Sequence, residues 1–343
     1  MALDLPLIWA VLITAAIVLY VLLDGFDLGI GILFPLATRR ERDVMVDAIA
    51  PVWDGNETWL VLGGGGLFAA FPLAYAIIMP AAYLPIGIML TALIFRGVAF
   101  EFRAKAGPSG FGRRFWSAAF FGGSLVAALA QGLVLGAFLH GIAVNGRAFA
   151  GSPLDWATPF SLLVALALAA GYALLGACWL IFKTQSALQT KARHWARHLT
   201  IAVAASMALV SFATLFMDPQ VTARWGLSAD GIDPATMLRA APLPVLAGLF
   251  CVMCFRWAGR EGAELRPYLA AIGIFLAGFA GLALSVFPYV VPFSVTIWDA
   301  AARDNALEFM LVGAAALLPV ILVYTGYVYW TFRGKASADG AYH

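Results

Sequence analysis

The chain has 343 residues, of which 63% are hydrophobic and only 12% charged, and its formal net charge is +2. Soluble domains carry about 25% charged residues, so an ordinary soluble enzyme is excluded. The near-neutral balance gives no electrostatic case for nucleic acid as a partner.

Runs of roughly 20 apolar residues cross a bilayer as helices, because hydrocarbon tolerates only internally paired backbone. Nine such runs lie near 6–28, 57–78, 80–101, 116–139, 160–182, 199–217, 241–257, 268–288 and 306–331. They predict an all-α, polytopic membrane protein in one integral domain over 1–343. They are too long and too continuously apolar for the alternating strands of a membrane β-barrel. The first run lacks a preceding basic region and is too long for a signal core, so it reads as an uncleaved span.

That first run carries two carboxylates, in Tyr20-Val-Leu-Leu-Asp24-Gly-Phe-Asp27. An ionisable group at the centre of a membrane helix costs at least about 2.5–3.5 kcal/mol, which makes Asp24 and Asp27 functional candidates. Arg39, Arg40 and Arg42 follow in the connecting loop. The second run opens on Trp53-Asp54-Gly-Asn-Glu57-Thr-Trp59, a second acidic pair at i, i+3 spacing. Gly63-Gly-Gly-Gly66 follows and predicts close helix packing. Arg96 falls near the inner end of the third run, with Glu101 and Arg103 just beyond it in depth.

Seventeen of the 21 basic residues fall in alternate loops: those of Arg39–Arg42, Arg96–Arg114, Lys183–Arg197, Arg256–Arg266, and the tail with Arg333 and Lys335. The positive-inside rule then puts the N-terminus outside and the C-terminus in the cytoplasm, consistent with an odd number of spans. On that topology Asp24, Asp27, Asp54 and Glu57 lie at one level near the inner face, with Arg96 as their nearest cation. Two readings stand side by side. One is an ion-pair network that anchors the helices. The other is a proton entry, favoured by four acids facing one well-placed guanidinium.

Beyond the third run the sequence is less informative. The external stretch 218–240, with Asp218-Pro219, Asp230-Gly231 and Asp233-Pro234, predicts turns packed on the outer surface. Cys251-Val-Met-Cys254 lacks a second pair or a flanking histidine and reads as helix packing, as does Cys178. Haem ligation needs His, Met or Cys at membrane depth. His140, His194, His198 and His343 fall at helix ends, in a loop or at the terminus, so this chain predicts no haem of its own and no metal site. The helices group into two four-helix bundles, spans one to four and five to eight, plus one extra helix.

Asp24-Gly-Phe-Asp-Leu-Gly-Ile-Gly31, Trp53-Asp-Gly-Asn-Glu-Thr-Trp59, Phe95-Arg-Gly-Val-Ala-Phe-Glu-Phe-Arg103 and Phe287-Pro-Tyr-Val-Val-Pro292 with Thr296-Ile-Trp298 closely resemble subunit II of the cytochrome bd-type quinol oxidases. The likeness extends to a last span ending in Tyr324-Thr-Gly-Tyr-Val-Tyr-Trp330. Glu57 and the short external loops resemble the cyanide-insensitive branch.

The resemblance implies a multi-pass subunit of the bacterial inner membrane, not catalytic alone. Its partner would be subunit I, which carries haems b and d, or b only, and oxidises ubiquinol or menaquinol while oxygen is reduced to water. Small single-span subunits and membrane lipids are further partners of the family, and some members bind a structural quinone. It also implies a proton route at the subunit interface. Asp54 is the first candidate for it, then Asp24 or Asp27; Glu57 departs from members with a neutral residue there. Arg96, Glu101 and Arg103 are the charge partners, and Trp53 and Trp59 are candidate interface aromatics or core. The competing class is a proton-coupled secondary transporter, which would need midplane acids and an inverted repeat. A purely structural scaffold differs only in lacking the proton route.

Overall fold

A computed structural model describes residues 3–107, 110–228 and 231–336. Asp230 and His343, named above, fall outside the described residues.

The chain is a set of long helices joined by short connections. The first, α1 (Leu5–Leu33), is started by the Asp4 side chain, which accepts from the Leu7 amide, and leads through a 3-10 turn at Phe34–Leu36. Next comes a polar surface helix, α2 (Arg39–Asp47), closed at its start by a Thr38/Glu41 capping box. Then follow α3 (Trp53–Ala70), α4 (Pro72–Ala81), α5 (Tyr83–Lys105) and α6 (Phe111–His140). A two-residue hairpin, β1 (Val144–Asn145) with β2 (Ala148–Phe149), precedes α7 (Pro159–Lys183) and α8 (Ser186–Thr214). The stretch 218–240 folds into α9 (Pro219–Arg224), a hairpin of β3 (Leu227–Ser228) and β4 (Gly231–Ile232), and α10 (Pro234–Ala240). Finally come α11 (Pro242–Ala258), α12 (Arg266–Val286), the hairpin β5 (Tyr289–Val291) and β6 (Val295–Thr296), α13 (Ile297–Ala300) and α14 (Asp304–Thr331).

Among the described residues eight helical segments are long and apolar enough to cross a bilayer. They correspond to every predicted run except 57–78. There the chain forms two helices, α3 and α4, broken at Phe71 and restarted by Pro72. Proline lacks the N–H that a continuing helix needs but suits a first turn, so the break falls just before it. The polar opening turn Trp53–Glu57 keeps α3 alone from reading as apolar. The predicted span 241–257 is extended backwards, because α10 and α11 together run from Pro234 to Ala258.

The helices pack as two groups. In the first, α1 lies against α3 and α6, and α5 against α6; in the second, α7 lies against α8 and α12, and α11 against both α8 and α12. The groups meet on α7, which is crossed by α1 and flanked by α6, and α14 rests on α1 and α3. At the crossing Phe26 stacks on Trp179 with ring centroids 4.2 Å apart. Gly29 and Gly176 let the backbones touch: a Cβ on Gly176 would stand 2.6 Å from the Gly29 carbonyl carbon. The glycine run in α3 is only half used this way. Gly63 and Gly66 face Ile17 and Ile13 of α1, whereas Gly64 and Gly65 face open space.

The second hairpin region docks on the end of α12 through Arg224, which donates to the Ser285 carbonyl at 2.8 Å, and Trp225 Nε1, which donates to Ser285 Oγ at 3.1 Å. The cysteines pack in the core, with Cys178 Sγ 3.8 Å from Cys254 Sγ.

Candidate functional site: a buried charge cluster on three helices

The 3.6-residue helical repeat puts Tyr20, Asp24 and Asp27 on one side of α1, and both aspartates are fully buried. On α3 the same repeat aligns Asn56, Trp59 and Gly63 as its buried face, leaving Glu57 at the edge and Asp54 exposed. Arg96 extends inward from α5 and is 1% exposed.

Its guanidinium joins all three helices. Nη2 donates to Asp24 Oδ1 at 2.6 Å and lies 3.8 Å from Asp27 Oδ2, and Nη1 donates to Glu57 Oε1 at 2.5 Å. Arg96 also sits over the Trp53 ring, with its Cζ 5.4 Å from the centroid. The planar fork of arginine is suited to this, because it presents separate donors to separate carboxylates. A buried guanidinium that contacts one partly exposed acid and two buried ones links the protein surface to its interior. The Glu57 side chain is 30% exposed.

Further polar groups complete the surroundings. Asn56 Nδ2 donates to Asp27 Oδ2 at 2.7 Å and to the Leu23 carbonyl at 3.2 Å, and Asn56 Oδ1 accepts from the Tyr329 hydroxyl at 2.8 Å. On the other side the Tyr20 hydroxyl lies against Asp24. It accepts from Gln131 Nε2 at 2.7 Å, and Gln131 Oε1 accepts from the Tyr172 hydroxyl at 2.6 Å. Asp24 Oδ2, Asp27 Oδ1 and Arg96 Nε have no hydrogen-bond partner among the described residues.

One guanidinium cannot neutralise three carboxylates. With all three ionised, two negative charges stay uncompensated in a low-dielectric setting, at a penalty of several kcal/mol per ion. Bound protons remove that cost, so the cluster has the chemistry of a site that exchanges protons.

Not every residue singled out in the sequence joins it. Asp54 sits on the exposed first turn of α3 and forms no hydrogen bond or ion pair among the described residues. Glu101 is exposed. Arg103 belongs to a second cluster, where it pairs with Asp43 of α2 at 2.5 Å and donates to Ser117 Oγ at 3.2 Å. Trp53 packs between Arg96 and Phe100, and Trp59 is core at 3% exposure. Asn56, Tyr20, Gln131, Tyr172 and Tyr329 are the additions. Asn56 was legible as a polar residue sharing a helical face with Trp59 and Gly63, and Gln131 as an amide inside an apolar run. The hydroxyls of Tyr20, Tyr172 and Tyr329 carried no such signal, since buried tyrosines are common in cores.

Known proteins resemble this chain along nearly all of its length. The family model described as cytochrome bd terminal oxidase subunit II matches residues 5–332. The chain belongs to that family. Its relatives include cytochrome bd-I ubiquinol oxidase subunit 2 of Escherichia coli K12, 28% identical over 98% of this chain and 96% of the relative. Cytochrome bd ubiquinol oxidase subunit 2 of Bacillus subtilis is 29% identical over 96% of each. The solved bd oxidase of Geobacillus thermodenitrificans contains a chain that superposes with a TM-score of 0.71 at 18% identity, covering 97% of this chain and 100% of that one. The subunit II assignment makes this a multi-pass inner-membrane component of an oxidoreductase whose family contains haem.

Among the described residues the histidines are engaged locally. His140 Nδ1 lies 3.3 Å from Met217 Sδ at the exposed end of α6, and the ring nitrogens of His194 and His198 contact backbone carbonyls of their own helix, α8. Among the described residues no three His, Cys, Asp or Glu side chains gather as a metal site.

Proposed function

We propose that this chain is the haem-free half of a heterodimeric terminal oxidase and supplies protons to its haem-bearing partner. The partner oxidises ubiquinol or menaquinol and reduces oxygen to water. This chain forms one integral domain of nine crossings, with α3 and α4 in series as the second, the N-terminus outside and the C-terminus cytoplasmic. Protons enter at Asp54 and Glu57 on the first turn of α3 and pass to Asp24 and Asp27. Arg96 is a positioning residue: its guanidinium holds its protons at any physiological pH, so it fixes the carboxylates rather than relaying between them. The Tyr20–Gln131–Tyr172 row and Asn56 orient the two aspartates from the inner side. Beside Glu57 the faces of α3 and α5 present Val61, Ile94 and Phe95 outward, which suits a helical partner at this opening.

The observation that carries this reading is the Glu57–Arg96–Asp24 link from a partly exposed acid to a fully buried one. Replacing Asp24 by Asn or Glu57 by Gln removes an exchangeable proton with little change of shape. We expect quinol-driven oxygen consumption of the purified complex to fall about tenfold or more, with haem absorbance intact. Wild-type turnover in both variants would refute the route, and loss of haem together with turnover would mark the cluster as a purely structural network. A secondary transporter would need a comparable acid pair at the midplane, and the cluster is instead open at Glu57.

A further inference from the structure

The second charged cluster has a feature the proton route does not use. Where the end of α1, helix α2, the end of α5 and the start of α6 come together, a cavity of about 330 Å³ is lined by Arg39, Arg42, Arg103, Arg113 and Arg114, with Phe121 on its apolar wall. That volume falls within the roughly 300–1,000 Å³ of small-ligand sites.

The guanidiniums are held, and not by acids alone. Arg42 donates to the carbonyls of Phe34 (2.9 Å) and Pro35 (3.2 Å), and Arg113 to that of Gly107 (3.1 Å). Arg42 and Arg103 both lie over the Phe34 ring, at 5.4 and 5.1 Å from its centroid. Asp43 accepts from both Arg103 and Arg113, and Asp47 lies within electrostatic reach of Arg103. Glu41 is engaged elsewhere, by the Thr38 cap and Lys191. Five positive charges thus face two negative ones.

Arg39 and Arg114 form no side-chain hydrogen bond or ion pair among the described residues, and Arg103, 4% exposed, has no partner there for its Nη1. The start of α6 adds to the excess. Gly110 gives it no side-chain cap, and its first turn holds Arg113 and Arg114, where the helix dipole favours anions. Such an arrangement is stable when an anion sits in it.

We propose that this pocket binds a phosphate group, and that its source is the headgroup of an anionic phospholipid. Arginine forks match phosphate oxygens bidentately, and basic pockets between membrane helices take anionic headgroups. The lipid is favoured over free phosphate because Ala118 and Phe121 continue the pocket wall along α6 towards the apolar surface, where acyl chains lie.

The assembled oxidase, stripped of lipid in detergent, is titrated with phosphatidylglycerol, phosphatidylcholine and inorganic phosphate, and its melting temperature is followed. Three proteins are compared: wild type, Arg39→Gln with Arg114→Gln, and Arg256→Gln with Arg260→Gln, which loses the same charge from exposed positions elsewhere. We expect phosphatidylglycerol alone to raise the melting temperature of the wild type. The concentration needed should rise on the order of tenfold or more in the Arg39/Arg114 variant and stay unchanged in the Arg256/Arg260 variant. Equal responses to the two lipids, or the same titration midpoint for all three proteins, would overturn the site. An equal shift from inorganic phosphate would overturn the lipid as its source.

Discussion

Arg96 sets the energetics of the buried cluster at the scale of single residues. Removing one partner of a buried ion pair leaves the others uncompensated and costs about 3–5 kcal/mol. Arg96→Gln should therefore lower the yield and melting temperature of the assembled complex, more than Asp24→Asn, which removes a charge that is in excess. Arg96→Lys should rescue assembly only in part, because one ammonium cannot reach both Asp24 and Glu57 as the two Nη atoms do. Equal melting temperatures for Arg96→Gln and Asp24→Asn would contradict this ranking. The acids at 24, 27 and 57 and the guanidinium at 96 were legible in the sequence, since each interrupts an apolar run. The division of labour between Arg96 and Arg103 was not. Both lie on α5 seven residues apart, and only the tertiary placement of α2 gives Arg103 its own carboxylate, Asp43.

At the scale of elements, the α1–α7 crossing depends on two glycines whose neighbours are backbone and cannot swing aside. Gly176→Ala places a methyl against Gly29 and Ile30, and overpacking of this kind costs about 1–3 kcal/mol. Gly64→Ala, which meets nothing within 4 Å, should be neutral or slightly stabilising, since alanine is the better helix former. Thermal melting of the complex separates the two, and equal effects would show that the crossing is not tight. The sequence suggested tight packing from the run Gly63–Gly66, yet the closest crossing uses isolated glycines in α1 and α7. Spacing along one helix does not reveal which face its neighbour takes. The break of α3 from α4 was signalled by Pro72 but hidden by the continuous hydropathy around it.

The tail after α14 offers a pH-dependent element. Lys335 donates to the Phe182 carbonyl (2.5 Å) and pairs with Glu264 at 2.7 Å, in the short connection between α11 and α12. The Lys335 hydrogen bond holds the Glu264 carboxyl below the usual carboxylate range, against the opposing effect of burial. A native value below the unfolded one, about 4.3, means the pair contributes fully at neutral pH and is lost as pH falls through the lowered value. Hydrogen exchange at Phe332–Ala336 should accelerate relative to the rest of the chain on acidification, and Glu264→Gln should abolish that dependence. An unchanged acid response in Glu264→Gln would remove this pair as its cause.

At the scale of the whole molecule, composition and period already fixed the class: long apolar runs in a chain this poor in charge admit helices that span a bilayer. The grouping of the first four runs and the next four emerged in the packing, with α14 outside both. The connection between the groups, of α1 and α6 with α7, has no sequence signature, because it depends on shape. The same crossing carries Asp24, Asp27 and Tyr172 at the join of the two groups, so the charge cluster is fixed by the most buried helices of the chain.

On the proposed route, protons for oxygen reduction pass through this cluster. The direct measurement is proton uptake by the oxidase in oriented liposomes after an oxygen pulse, comparing wild type with Asp24→Asn. Uptake from the side of the basic loops should slow about tenfold or more in the variant while the haem spectrum of the reduced complex stays the same. Uptake at the wild-type rate in Asp24→Asn would contradict the claim.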